Sequence, residues 1–150
     1  MSSEVLKAAG PALEIVRIFD ASRRAAWNAW TDPEAAKEWF GPRGFTVPDY
    51  TLDLRAGGSW RLCLRASDGE EHWARGIYKE VVPPRRLTYT WIWEQRDNHE
   101  MRVDVSFEEL GYKTRLTLDQ SEFETREDCE EHRDGWTQSL DRLGGYLRKR

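Results

Sequence analysis

His132 is the side chain whose type and position best suit chemistry. It stands one helical turn before Trp136, on an apolar row of Cys129, His132, Trp136, Leu140, Leu143 and Leu147 at intervals of three and four. An imidazole there can hydrogen-bond a carbonyl or phenol, or act as acid or base near neutral pH. No second reacting group stands out beside it, and the row itself favours a satisfied core histidine. Tyr89 is the other proton carrier that an enzymatic reading would use. His72 and His99 fall near strand ends or turns and read as solvated. Glu127, Asp128, Glu130 and Glu131 crowd the start of the same helical run, where a solvated face explains them better than acid–base work.

Motifs for nucleophilic catalysis and for metals are missing: there is no G-x-S-x-G, no H-E-x-x-H and no paired C-x-x-C. Neither a catalytic residue nor a metal ligand is therefore assigned. Gly57-Gly58 is a turn signal without the spacing or the following helix that a dinucleotide requires, so no cofactor is implied. Cys63 and Cys129 have neither zinc spacing nor a disulfide framework and are expected to be reduced, partly buried thiols.

Eight tryptophans stand in 150 residues. A tryptophan brings a large apolar area and one N–H, so eight of them call for a core or a cavity walled by rings. For any single ring packing is the simpler account; the cavity reading rests on their sum. The net charge of −4, with both signs interspersed, gives no basic stripe for a phosphate backbone, and no nucleic-acid partner is expected. No apolar run approaches the roughly 18 residues of a membrane span, and Met1-Ser2-Ser3-Glu4 opens no export signal. The expectation is a soluble, cytoplasmic protein with no membrane contact, loose over residues 1–10 and forming one domain over 11–150.

The elements that must position these residues follow from periodicity. Leu13 to Phe19 reads as a strand, and Ser22 as the cap of a short helix carrying Ala25, Ala26, Trp27 and Trp30. Thr31 and Glu34 have capping-box spacing around Pro33, opening a second short helix through Trp39 and Phe40 that Gly41-Pro42 stops. From residue 48 to 120 the period is two, and five or six antiparallel strands fit. Tyr50, Leu52 and Leu54, then Trp60, Leu62 and Leu64, alternate with polar positions and Cys63; Leu87, Tyr89, Trp91 and Trp93 share a face, as do Met101, Val103, Val105 and Phe107. Gly76 marks a bulge or a close approach, and a bulge there would reverse the inward face of residues 72–82. Thr125 and Asp128 cap a final helix of about 25 residues, interrupted by Gly135, which suggests close packing on the sheet or a slight bend.

This order, with several local runs, resembles the helix-grip fold of START-like proteins. It is closest to the bacterial branch related to the C-terminal domain of the ATPase activator of the ninety-kilodalton heat-shock chaperone. The runs are Ala29-Trp30-Thr31-Asp32-Pro33 leading into Trp39-Phe40-Gly41-Pro42, Asp53-Leu54-Arg55-Ala56-Gly57-Gly58-Ser59-Trp60, Gly76 to Leu87, and His132-Arg133-Asp134-Gly135-Trp136. The resemblance implies an α+β fold, a curved antiparallel sheet of six to seven strands around a long C-terminal helix, with two short helices after the first strand. It also implies a cavity between sheet and helix. Trp39, Phe40 and Phe45 would stand at its entrance, with Trp60, Leu62, Trp91, Trp93, Met101 and Val103 on the sheet wall. His132, Trp136 and Leu140 would form the helix wall. The function expected is non-catalytic binding of a small hydrophobic, aromatic molecule by a monomer or weak homodimer. The rivals are a cyclase or lyase using the same cavity, and a protein-interaction module acting on the chaperone.

Overall fold

Seven antiparallel strands form one sheet in a computed structural model that describes residues 10–149. All of the loose segment expected at the N-terminus except Gly10 lies outside the described residues. The strands are β1 (Leu13–Phe19), β2 (Thr46–Leu52), β3 (Ser59–Arg65), β4 (Glu71–Val82), β5 (Arg86–Trp93), β6 (Met101–Leu110) and β7 (Lys113–Ser121). Their order across the sheet is β1-β7-β6-β5-β4-β3-β2, a meander from β2 to β7 with β1 closing onto β7. β1 and β2 are consecutive in sequence yet sit at opposite edges, so the chain between them must cross from one side to the other. That crossing is made by α1 (Arg23–Thr31) and α2 (Pro33–Ala36), whose Trp27, Trp30 and Ala36 are buried.

The last helix, α3 (Arg126–Arg148), lies on the inner face of the sheet. Cys129, Trp136, Leu140, Leu143 and Leu147 are buried, as the spacing predicts. Its C-terminal half runs against β1, where a Cβ on Gly144 would lie 3.5 Å from the Phe19 ring. Thr125 caps it by accepting from the Asp128 N–H at 3.0 Å, and Glu127 and Asp128 suit the positive end of the helix dipole.

Several local expectations are corrected. The cap of α2 is Asp32, which accepts from the Glu34 N–H, while the Thr31 hydroxyl donates back to the Trp27 carbonyl at 2.8 Å. The helix ends at Ala36, and Trp39 and Phe40 follow on a turn that Gly41 terminates with φ +101°. On β4 the register shift falls between Tyr78 and Glu80, so Gly76 is no bulge. It is a close approach: a Cβ at Gly76 would lie 1.9 Å from the Thr90 carbonyl oxygen and 2.6 Å from Trp60 Nε1. The bare glycine lets the Trp60 indole cross it and donate to that carbonyl at 3.2 Å, while the Ile77 N–H turns to the Thr90 hydroxyl at 2.9 Å. Ala74, Gly76 and Tyr78 therefore keep one buried face. Cys63, expected to be only partly buried, is fully covered, and Cys129 is buried as well; both are free thiols.

Candidate functional site

The inner face of the sheet is not filled throughout. Near β1, β6 and β7 the space is closed by Leu116, Leu118, Val103, Val105, Phe107, Leu140 and Leu143. Toward β3, β4 and β5 it opens into a pocket of about 500 Å³, within the range of small-molecule sites. Four pieces of chain frame it. The N-terminal half of α3 contributes His132, Gly135, Trp136 and Ser139, and the chain after α2 contributes Phe40 and Phe45. The strand β5 and its following turn supply Trp91, Trp93, Gln95 and Arg96; the β3–β4 hairpin supplies Leu64, Glu70, Glu71 and His72.

Of the residues expected from sequence, Phe40, Phe45, Trp91, Trp93, His132 and Trp136 meet on this one wall. The others are placed elsewhere. Trp39 is wholly buried against Trp30, its ring 5.0 Å away, and its Nε1 donates to the Ala29 carbonyl at 3.0 Å. Leu140 and Val103 lie in the solid core, Met101 under Gln120, and Trp60 and Leu62 behind Phe40 and Trp91. His72, expected in solvent, half faces it and half faces the pocket, its ring 6.2 Å from that of Phe45.

His132 is held at both ring nitrogens. Trp93 Nε1 donates to His132 Nε2 at 3.0 Å, and His132 Nδ1 lies 3.1 Å from Gln120 Oε1. The same amide oxygen accepts from Trp136 Nε1 at 2.7 Å, and Gln120 Nε2 meets Met101 Sδ at 3.6 Å. An indole N–H only donates and an amide oxygen only accepts, so this chain places one proton on Nδ1 and leaves Nε2 bare. A second proton would set two N–H groups against each other. Burial, the largest cause, pushes the imidazole down to about 4; the Asp128 charge opposes that shift and the Arg96 charge adds to it. Gln120 was missed in the sequence, although it carries a signal: it continues the dry row of Leu116 and Leu118 on β7, where a polar residue needs partners.

The entrance loop is tied to α3 rather than to the sheet. The Gly41 N–H donates to Ser139 Oγ at 3.0 Å and the Arg43 N–H to Gln138 Oε1 at 2.9 Å. Arg142 Nη1 lies within 2.9–3.3 Å of the carbonyl oxygens of Phe40, Gly41, Pro42 and Phe45. Partial burial of this guanidinium against neutral carbonyl oxygens lowers its pKa. Gly135 meets only Pro42 Cγ, 3.8 Å from where a Cβ would sit, so it neither packs on the sheet nor has a side chain to occupy the mouth. At the rim Arg96 pairs with Asp128 at 3.0 Å and Glu71 with Arg65 at 2.7 Å, leaving the acidic Glu131 exposed beside them.

Among the described residues no cluster of His, Cys, Asp or Glu could hold a metal ion, and no helix is long and apolar enough to cross a membrane.

Residues 20–148 match the family described as Activator of Hsp90 ATPase homolog 1-like protein. No curated protein matches the chain. Among solved structures it is similar to the AHSA1 protein of Silicibacter pomeroyi, at 30% identity and a TM-score of 0.84 over 92% of this chain and 98% of that one. Protein CV1439 of Chromobacterium violaceum gives 26% and 0.83 over 92% and 98%. CalU16 of Micromonospora echinospora gives 29% and 0.72 over 91% and 75%.

Proposed function

Because the chain belongs to the family of Activator of Hsp90 ATPase homolog 1-like proteins and its own hollow is open on one side, we propose that it binds a small, largely apolar, aromatic molecule without reacting with it. The observation that carries this reading is the ring-lined space itself. Phe40, Trp91 and Trp136 stand with centroids 5.5–6.3 Å apart around one end of a pocket of about 500 Å³. Offset and edge-on rings of this kind favour a flat guest over a flexible chain. Two facts speak for binding rather than turnover: both nitrogens of His132 are engaged, and Tyr89, outside the main pocket, has its hydroxyl pKa raised by burial and so holds its proton. Two free, buried thiols suit a reducing compartment, and we read the protein as cytoplasmic.

The test is a titration with 2-isopropenylnaphthalene, a flat hydrocarbon, followed by tryptophan fluorescence and by native mass spectrometry. Quenching with one retained ligand per chain is expected in the wild type. It should be lost in Gly135→Leu, whose side chain enters the mouth, and kept in the exposed-surface control Tyr112→Ser. Fluorescence that ignores every flat apolar probe would overturn the proposal.

A further inference from the structure

One buried donor in this region has no protein partner. Trp91 is only 3% exposed, and its Nε1 is without a hydrogen-bond acceptor among the described residues. A buried N–H left unpaired loses its hydrogen bond to water with nothing in return, so such a group calls for an acceptor from outside the chain. Trp91 and Phe40 border the main pocket on one side and a second void on the other. Their rings lie nearly parallel, 12° apart with centroids 6.3 Å apart, and form a two-ring partition.

The inner void, about 10 Å³, approaches the space one water needs. Tyr50, Tyr78 and Tyr89 line it with Trp30 and Trp60. Trp60 already donates to the Thr90 carbonyl. Each of these three tyrosines carries a hydroxyl that can donate one hydrogen bond and accept others. Trp91, whose indole N–H has no partner, borders the same void, so that N–H and the phenol hydroxyls belong to residues set around room for a single oxygen. Burial pushes Tyr50 up to about 12 and the other two phenols higher, so all three stay protonated donors across the physiological range.

We infer that this inner void is a recognition point for a carbonyl oxygen on the guest, and that the ligand class is an aromatic carbonyl compound. The aromatic body lies in the outer pocket, and the C=O reaches past the edge of Phe40 to the Trp91 N–H and the tyrosine hydroxyls. The inference rests on the pocket reading above and adds to it the polar half of the ligand.

A matched pair of probes separates the two claims. 2-Acetylnaphthalene and 2-isopropenylnaphthalene have nearly the same shape and differ in C=O against C=CH2. In the wild type the ketone is expected to bind about tenfold tighter, the value of one good hydrogen bond, although it is the less hydrophobic of the two. That ratio should fall toward one in Trp91→Phe and drop in Tyr50→Phe, which removes only a hydroxyl. The carbonyl stretch of the bound ketone should lie below its value in hexane in the wild type, a readout that holds even if Trp91→Phe fails to fold. Equal affinities, or a carbonyl stretch at its hexane value, would leave the void to water and overturn the inference while the pocket reading stands. Binding of neither probe would remove both.

Discussion

Trp93 Nε1 donates to His132 Nε2 across 3.0 Å, a contact that exists only while the imidazole is neutral. The partner on the other side, Gln120 Oε1, already takes the Nδ1 proton, and it also binds Trp136. A strand, a helix and the turn-proximal end of β5 are therefore joined through one protonation state. This joins a pocket wall to the pH of the solution.

The sign follows from the folded pKa, about 4, lying below the unfolded value of 6.5. Between them the unfolded chain binds more protons, so the contribution of His132 is complete above about 6.5 and is lost as pH falls through 4. Its size is about 3 kcal/mol at most. Urea unfolding at pH 7.5 and pH 4.5 should show this loss in the wild type. It should be smaller in His132→Gln, which offers an acceptor and a donor that do not titrate. Equal pH dependence in the two proteins would refute the assignment.

Gly135 sits in mid-helix with open space in front of it. Gly135→Ala should therefore raise stability by about 0.5–1 kcal/mol through helix propensity, with no clash to offset the gain. Thermal unfolding measures it. The same methyl group narrows the pocket mouth, so the affinity for 2-isopropenylnaphthalene should fall slightly as stability rises. A drop in melting temperature would show that the glycine is needed for packing after all.

Arg142 reaches four carbonyls with one nitrogen that has two hydrogens, so it holds the entrance loop by alternating bonds. Arg142→Met keeps the apolar stem and removes the donors. A loss of about 1.5–3 kcal/mol is expected, with faster hydrogen exchange at the Gly41 and Arg43 amides than in the wild type. Arg142→Lys should recover only part of it, since an ammonium lacks the planar fork. Unchanged exchange at those amides would mean that Ser139 and Gln138 alone secure the loop.

How much of this could be read from residues alone differs from one element to the next. The α3 stripe was legible because one face of one helix is a matter of spacing, and so were the Ser22 and Thr125 caps, which act within three residues. The boundary between core and pocket was not. Trp60 and Trp91 share a sheet face and a residue type, yet only Trp91 borders the main pocket, because Trp60 is spent crossing Gly76 to Thr90. His72 was read as solvated from its place near a strand end, and that was half right: it pairs with Leu64 on β3, and the pocket reaches that end of the sheet. The Arg142 clamp joins residues about a hundred positions apart, which no local pattern encodes.

The outer face of the sheet carries a strain of a different kind. Glu14, Asp119 and Asp104 stand opposite one another across β1, β7 and β6, three acids in one cross-strand row. Arg102 and Arg86 answer Asp104, at 3.0 and 3.5 Å. For Asp119, burial first and the neighbouring Glu14 next push the carboxyl up to about 6. An acid whose folded pKa exceeds its unfolded value binds more protons when folded, so stability falls as pH rises from about 4 to 6. Asp119 is partly solvated, and screening reduces the effect to about 1 kcal/mol. Asp119→Asn should therefore stabilise the protein by that amount at pH 7 and leave it nearly unchanged at pH 4, opposite in direction to the His132 dependence. Urea unfolding of the variant at both pH values decides it, and an equal gain at pH 4 would assign the benefit to something other than the charge.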